Sequence, residues 1–138
     1  MGGQGSIFAR IVAGEIPCQC VFENEHVFAF LDINPIAVGH TLLVPRRTVE
    51  RIEDLPAEEA AELARQLPIL VRRVVAATGA TGCNILLNNG VVAGQEVPHV
   101  HFHIIPRRAG DGLGYRWRPQ KGDPGELTAL AERIRAVP

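Results

Sequence analysis

The stretch from His99 to Arg107 reads His-Val-His-Phe-His-Ile-Ile-Pro-Arg, and it constrains the fold more than any other part of the chain. Side chains on a strand alternate between faces, so His99, His101 and His103 would share one face while Val100, Phe102 and Ile104 share the other. The apolar triplet demands a core on its side. The imidazole triplet, spaced about 7 Å per step by the rise of the strand, demands polar partners on the other. Three uses of such a face are open. The rings could line a solvent-facing edge strand, bind a transition metal such as zinc, or place one imidazole to attack an electrophile while its neighbours hold it. Three of the five histidines of the chain sit at these alternate positions. An arbitrary surface does not concentrate them in this way, and histidine can donate, accept, ligate or attack near neutral pH, so a reactive site is expected here.

A chain of 138 residues fits one domain with a core that needs no disulfide or metal staple. Residues 1–5, rich in glycine, are expected to be a flexible N-terminus, and residues 6–138 to form that domain. The formal net charge of −1 offers no polyelectrolyte attraction to nucleic acid, although small anionic ligands are compatible with it. No apolar run reaches the ~18 residues of a membrane span and no signal peptide opens the chain, so a cytoplasmic protein is expected. Cys18, Cys20 and Cys83 form an odd set without a CxxC pair, which fits reduced thiols. Met1 to Ser6 matches the spacing of a myristoylation signal, but nothing basic follows to supply a second membrane anchor.

Periodicity outlines the elements. Ile7, Phe8, Ile11 and Val12 predict a short helix over Ser6 to Ala13, stopped at Gly14. Cys20 to Glu23 and Val27 to Leu31 read as a hairpin, and Thr41 to Pro45 as a buried strand. From Pro56 to Thr78, apolar residues recur every three or four positions, which predicts the long helix, with a kink or a helix junction at Pro68. Cys83 to Leu87 reads as a strand that returns through the polar loop Asn88 to Gly94, antiparallel to the histidine strand. The apolar face of that strand should pack on the long helix. The glycines from Ala109 to Gly114 lack the strand-then-helix setting of a dinucleotide loop and read as plain loop. Leu127, Leu130, Ala131, Ile134 and Val137 predict a C-terminal amphipathic helix.

Three features converge on the histidine strand. Asp32, between a strand and a turn, could accept hydrogen bonds from a sugar diol or simply cap the turn. His40 follows Gly39 at the start of a strand. In the third, Gly94 permits close backbone approach, and Asn88, Asn89 and Gln95 offer neutral donors for phosphate oxygens.

Four blocks in order, Asp32-Ile33-Asn34-Pro35, Gly39-His40 through Val44-Pro45, Ala93-Gly94-Gln95 and the His99 to Ile105 run, resemble the histidine-triad (HIT) nucleotide-binding proteins. The Ile104-Ile105-Pro106-Arg107 continuation with Gly110-Asp111-Gly112 and Trp117 is more similar to the bacterial Hit and fragile-histidine-triad-like branches than to the Hint phosphoramidase branch. The resemblance implies an α+β fold with a five-stranded antiparallel sheet, a long helix and short terminal helices, in a homodimer whose sheets join into one. It implies cleavage of a nucleoside monophosphate, purine nucleotides or dinucleotides being the expected ligands, from a leaving group through a nucleotidyl-histidine. Dinucleoside polyphosphates are the favoured substrate type, with a phosphoramidase or a nucleotide-binding adaptor as the alternatives. Carried over by position, His101 matches the nucleophile, His99 and His40 its supporting histidines, and His103 a phosphate contact. Asp32 matches the ribose contact and Ile33 the base pocket, while Asn88, Gly94 and Gln95 fall on the phosphate side. The sequence departs from the family where many bacterial relatives hold structural zinc, because Ser6, Ala9 and Thr48 stand at the ligand positions; no metal and no cofactor are expected. It also departs at Glu96, where several branches have a serine or threonine.

Overall fold

The computed structural model describes residues 5–114 and 117–138. The expected flexibility of the first four residues, and with it most of the lipidation pattern, therefore lies outside the described residues. Helix α1 (Ile7–Val12) is followed by strands β1 (Cys20–Glu23), β2 (Val27–Leu31) and β3 (Thr41–Pro45). Helix α2 (Ala57–Thr78), strands β4 (Gly82–Leu86) and β5 (Phe102–Arg107), and helix α3 (Pro124–Ala136) complete the order. The five strands form one antiparallel sheet in the order β1-β2-β3-β5-β4, as expected.

Parity along the strands sorts residues onto two faces. Val27 and Ala29 of β2, Leu43 of β3, and Val100 and Ile104 meet Leu63, Leu70 and Val74 of α2 in one buried cluster. The intervening Phe28, Phe30, Leu42 and Val44 point the other way and pack with Phe8 of α1. Both faces of β2 and β3 are thus covered, which is why Leu42-Leu43-Val44 is continuously apolar instead of alternating. His103 pairs with Leu42 across β5 and β3. It therefore belongs to the α1 side, and the long helix covers the opposite face of β5, as the pattern predicts.

Helix α2 runs through Pro68 without a break. The proline is exposed, so the carbonyl deprived of its partner, that of the equally exposed Ala64, faces water. Gly79 ends the helix in the left-handed region at φ 72°, its N–H on the Val75 carbonyl. Gly39, at φ 92°, lets the turn before β3 lie against that helix end, since a Cβ there would come 2.5 Å from Thr78 Cγ2. This close approach sets the position of the adjacent His40.

The boundaries differ from expectation in three places. Strand β5 begins at Phe102, because residues 97–99 bend and His99 and His101 precede the ladder. Strand β4 begins one residue earlier than expected, at Gly82, and α3 begins at Pro124, where Asp123 caps it by accepting from the Glu126 N–H at 3.0 Å. Among the described residues, no helix is long and apolar enough to cross a membrane.

Candidate active site

Asp32, His40, His101 and His103 all have the parity of the α1 face, and all line one cavity of about 430 Å³, within the usual range for small-molecule sites. Asp32 prolongs the β2–β3 ladder, its N–H donating to the His40 carbonyl at 2.9 Å. Isoleucine 33 also lines the cavity, although it is 82% exposed. The apolar wall is completed by Phe8 and Ile11 of α1, Cys18 and Phe30.

Backbone groups determine which nitrogen of each imidazole carries the proton. The Ile36 N–H donates to His40 Nδ1 at 3.1 Å, so neutral His40 bears its proton on Nε2. That Nε2–H donates to His103 Nδ1 at 2.9 Å, which leaves His103 with an Nε2–H. His101 Nδ1–H donates to the His99 carbonyl at 2.7 Å. The His101 Nε2 therefore carries an unprotonated lone pair. His99 Nε2–H donates to the Pro45 carbonyl at 2.9 Å, and its Nδ1 accepts from the Ser6 hydroxyl at 2.8 Å. A nucleophilic nitrogen and a proton-bearing one thus sit on adjacent rings, His101 and His103, whose centroids are 4.8 Å apart. The strand rise suggested about 7 Å per step; the rings lean together where the backbone enters β5.

Burial pushes all four of these pKa values below the ordinary 6.5. His103 falls furthest, to about 4, through burial and then the neighbouring His101 and His40, against the opposing pull of Asp32. For His101 the lowering by burial is partly offset by the His99 carbonyl and by Asp32. The rings are neutral at pH 7, so the lone pair on His101 Nε2 is free without a prior deprotonation. The free-enzyme profile of kcat/KM should accordingly be flat near neutrality and fall on acidification with a midpoint below 6.5. A midpoint at or above 6.5 in initial-rate measurements would contradict this. Stability follows the same sign: between pH 6.5 and about 4 the unfolded state binds the His103 proton and the folded state does not, so stability is lost as pH falls through that window.

The solvent-facing edge-strand use of the triad fails, because β5 lies between β3 and β4, and His99 and His101 are 0% and 5% exposed. The phosphate-side expectation needs correction at two residues. Gln95 is buried and does not line the cavity. Its carbonyl accepts the Gly90 N–H at 2.7 Å, and its amide donates to the Glu50 and Val97 carbonyls at 2.8 and 3.0 Å. Asn89 accepts from the Ile52 N–H and donates to Glu53. Both side chains brace the loop. Asn88 and Gly94 do line the cavity, and Gly94, at φ 103°, lies where a Cβ would sit 3.6 Å from Asn88 Nδ2. Sequence reasoning missed Phe8, which meets the His101 ring edge-on at 4.9 Å. Its apolar spacing predicted a helix face and carried no sign of what that face would cover.

The zinc positions of the family converge here as well. Ser6 touches His99, and a Cβ on Gly5 would lie 2.9 Å from Ala9 Cβ and 3.8 Å from Thr48 Oγ1. Two hydroxyls and a methyl do not fit the thiolate and imidazole set of structural zinc, and the Ser6 hydroxyl occupies the His99 nitrogen that would be the remaining ligand. Among the described residues, no group of three or more His, Cys, Asp or Glu side chains is arranged to hold a metal ion.

An antiparallel sheet with paired imidazoles over a nucleotide-sized cavity defines a class, and comparison with known proteins specifies it. Residues 13–110 match the family model described as the HIT domain. The protein named "Protein hit" of Bacillus subtilis is 40% identical over 134 residues, covering 95% of this chain and 92% of that one. The adenosine 5'-monophosphoramidase hnt1 of Schizosaccharomyces pombe is 43% identical over 129 residues, covering 93% and 94%. A crystal structure of a Streptococcus mutans protein superposes with a TM-score of 0.91 at 41% identity, covering 98% of this chain and 87% of that one. The chain belongs to the HIT family.

Proposed function

We propose that the protein is a nucleotidyl hydrolase or transferase that releases a nucleoside monophosphate from an amine, with His101 as the nucleophile. The single observation behind this reading is the run of backbone-determined tautomers that leaves a lone pair on His101 Nε2 and a proton on His103 Nε2. In the first step His101 Nε2 attacks phosphorus and the P–N bond breaks. Its electron pair leaves with nitrogen, which takes a proton from solvent. Water then displaces the imidazole, and its second proton returns to solvent. The His103 Nε2–H and the Asn88 amide serve as neutral donors to the phosphoryl oxygens. Asp32 takes the ribose hydroxyls, Ile33 and the apolar wall take the base, and Gly94 admits the phosphate. A purine nucleotide is the ligand this carries.

Two observations favour an amine over a polyphosphate leaving group. The fission-yeast relative is named as a monophosphoramidase, and the two acidic side chains lining the cavity, Asp32 and Glu96, would repel further phosphates. The test is a quenched reaction with radiolabelled adenosine 5'-phosphoramidate and, separately, diadenosine tetraphosphate, with the adduct located by peptide mass spectrometry. We expect faster turnover of the phosphoramidate and a nucleotidyl group on His101. An adduct on His99 or His103 contradicts the assignment. Inactivity toward both substrates favours the adaptor reading.

The same reading includes a homodimer with a sheet continuous across two copies. Among the described residues strand β4 pairs only with β5, which leaves its outer edge open to a second copy. Light scattering should give twice the 15.0 kDa chain mass; a monomer at micromolar concentration would refute it.

A further inference from the structure

We propose that Ser6 is a positioning residue for the nucleophile, latching α1 to His101 by way of His99; the inference rests on the His101 assignment above. The Ser6 hydroxyl does two things at once. Its oxygen accepts the Ala9 N–H at 3.0 Å and so caps α1, and its proton goes to His99 Nδ1 at 2.8 Å. The two contacts make the start of a helix and the orientation of a distant imidazole one hydrogen-bonded unit.

His99 does not line the cavity and is 0% exposed, so it acts on substrate only through its neighbours. Its ring is held between the Pro45 carbonyl, an obligate acceptor at 2.9 Å that keeps the proton on Nε2, and the Ser6 hydroxyl, which therefore donates to Nδ1. Its carbonyl is what fixes the proton on His101 Nδ1. That carbonyl sits in a tight turn, with the His99 N–H on the Val97 carbonyl and the Val100 N–H on the Val49 carbonyl, both at 2.8 Å. Removing the Ser6 donor leaves Nδ1 with a buried, unsatisfied lone pair and lets the ring rotate about its remaining hydrogen bond to the Pro45 carbonyl. Rotation pulls on the turn that presents the carbonyl. The second route from Ser6 to the nucleophile is shorter. Phe8, two residues on in α1, contacts both the His99 and the His101 rings, at centroid distances of 6.1 and 4.9 Å. A loosened helix start therefore also loosens the wall against which His101 is set.

The experiment uses the full chain with Ser6→Gly and Ser6→Thr. Glycine is tolerated as a cap at a cost of only a few tenths of a kcal/mol against serine, so Ser6→Gly removes the donor while nearly sparing the helix. Threonine keeps the hydroxyl. We expect Ser6→Gly to slow single-turnover nucleotidylation of His101 about tenfold, as losing one buried hydrogen bond would, with KM unchanged and Ser6→Thr restoring the rate. Nitrogen-15 NMR of the imidazoles should show His99 protonated at Nε2 throughout, with its Nδ1 resonance that of a hydrogen-bonded acceptor in wild type and Ser6→Thr and that of a free acceptor in Ser6→Gly. A wild-type rate in Ser6→Gly, or a loss in which KM alone moves, would overturn the proposal. So would an unshifted His99 Nδ1 resonance in Ser6→Gly. A wild type that forms no adduct on His101 would instead overturn the functional reading, and the NMR arm would still report whether Ser6 holds the His99 Nδ1.

Discussion

His101→Ala should lower turnover of a nucleotidyl substrate by roughly 10⁴-fold or more, the scale on which an essential nucleophile acts, while AMP still binds. The ring is 5% exposed, yet its removal should be thermodynamically mild. Among the described residues its ring makes one hydrogen bond, to the His99 carbonyl, and the space it leaves is continuous with the cavity it lines. The nucleoside contacts proposed for Asp32 and Ile33 lie elsewhere along the cavity. Calorimetric titration with AMP should therefore give a Kd within a few-fold of wild type, and pre-steady-state kinetics should show no covalent phase. An active variant, or one that loses AMP binding altogether, would remove His101 from the nucleophile's role. Glutamine is a useful companion substitution, since it retains hydrogen-bonding capacity but cannot form the nucleotidyl adduct.

Gln95→Ala should have the opposite signature, costing about 2–4 kcal/mol of stability and altering chemistry only indirectly. The magnitude follows from three hydrogen bonds to backbone groups, each worth about 1 kcal/mol net and more where the orphaned partner stays buried. Its carbonyl holds the Gly90 N–H, and its amide bridges Glu50 and Val97, so one side chain ties the loop after β4 to the segment before α2. Urea denaturation should show a lowered midpoint at constant slope. A phosphate donor would behave differently: stability would be untouched and KM would rise. If Gln95→Ala shows that pattern, the bracing role assigned to this amide is wrong.

His101 and Gln95, six positions apart in the chain, differ in what the sequence shows of them. The alternation in His99 to Arg107 by itself separates an apolar face from an imidazole face, because strand parity is a property of covalent geometry. Among the described residues the same local logic located the five strands and three α-helices, with the ends shifting where tertiary contacts decide. It shifted the start of β5 because the bend at residues 97–99 is held by Val49, a residue fifty positions away that no local pattern reveals. Pro68 fell in the same category: its effect on α2 depended on whether the freed carbonyl faced water or core.

Chemistry was legible only as inventory. The chain announced three imidazoles, a fourth at His40, a carboxylate at Asp32 and a group of amides; it could not announce which would meet. Asn88, Asn89 and Gln95 are chemically alike as amides, and only the path of the backbone puts the first in the cavity and turns the other two to bracing. Proton placement is likewise a tertiary property, since it depends on the Ile36 N–H and the His99 and Pro45 carbonyls reaching particular ring nitrogens. Composition and periodicity act through the covalent chain and the hydrophobic effect, which are short-ranged or non-directional. A hydrogen bond is directional and reaches about 3 Å, so which groups it joins is settled only when the sheet and helix α1 are in place.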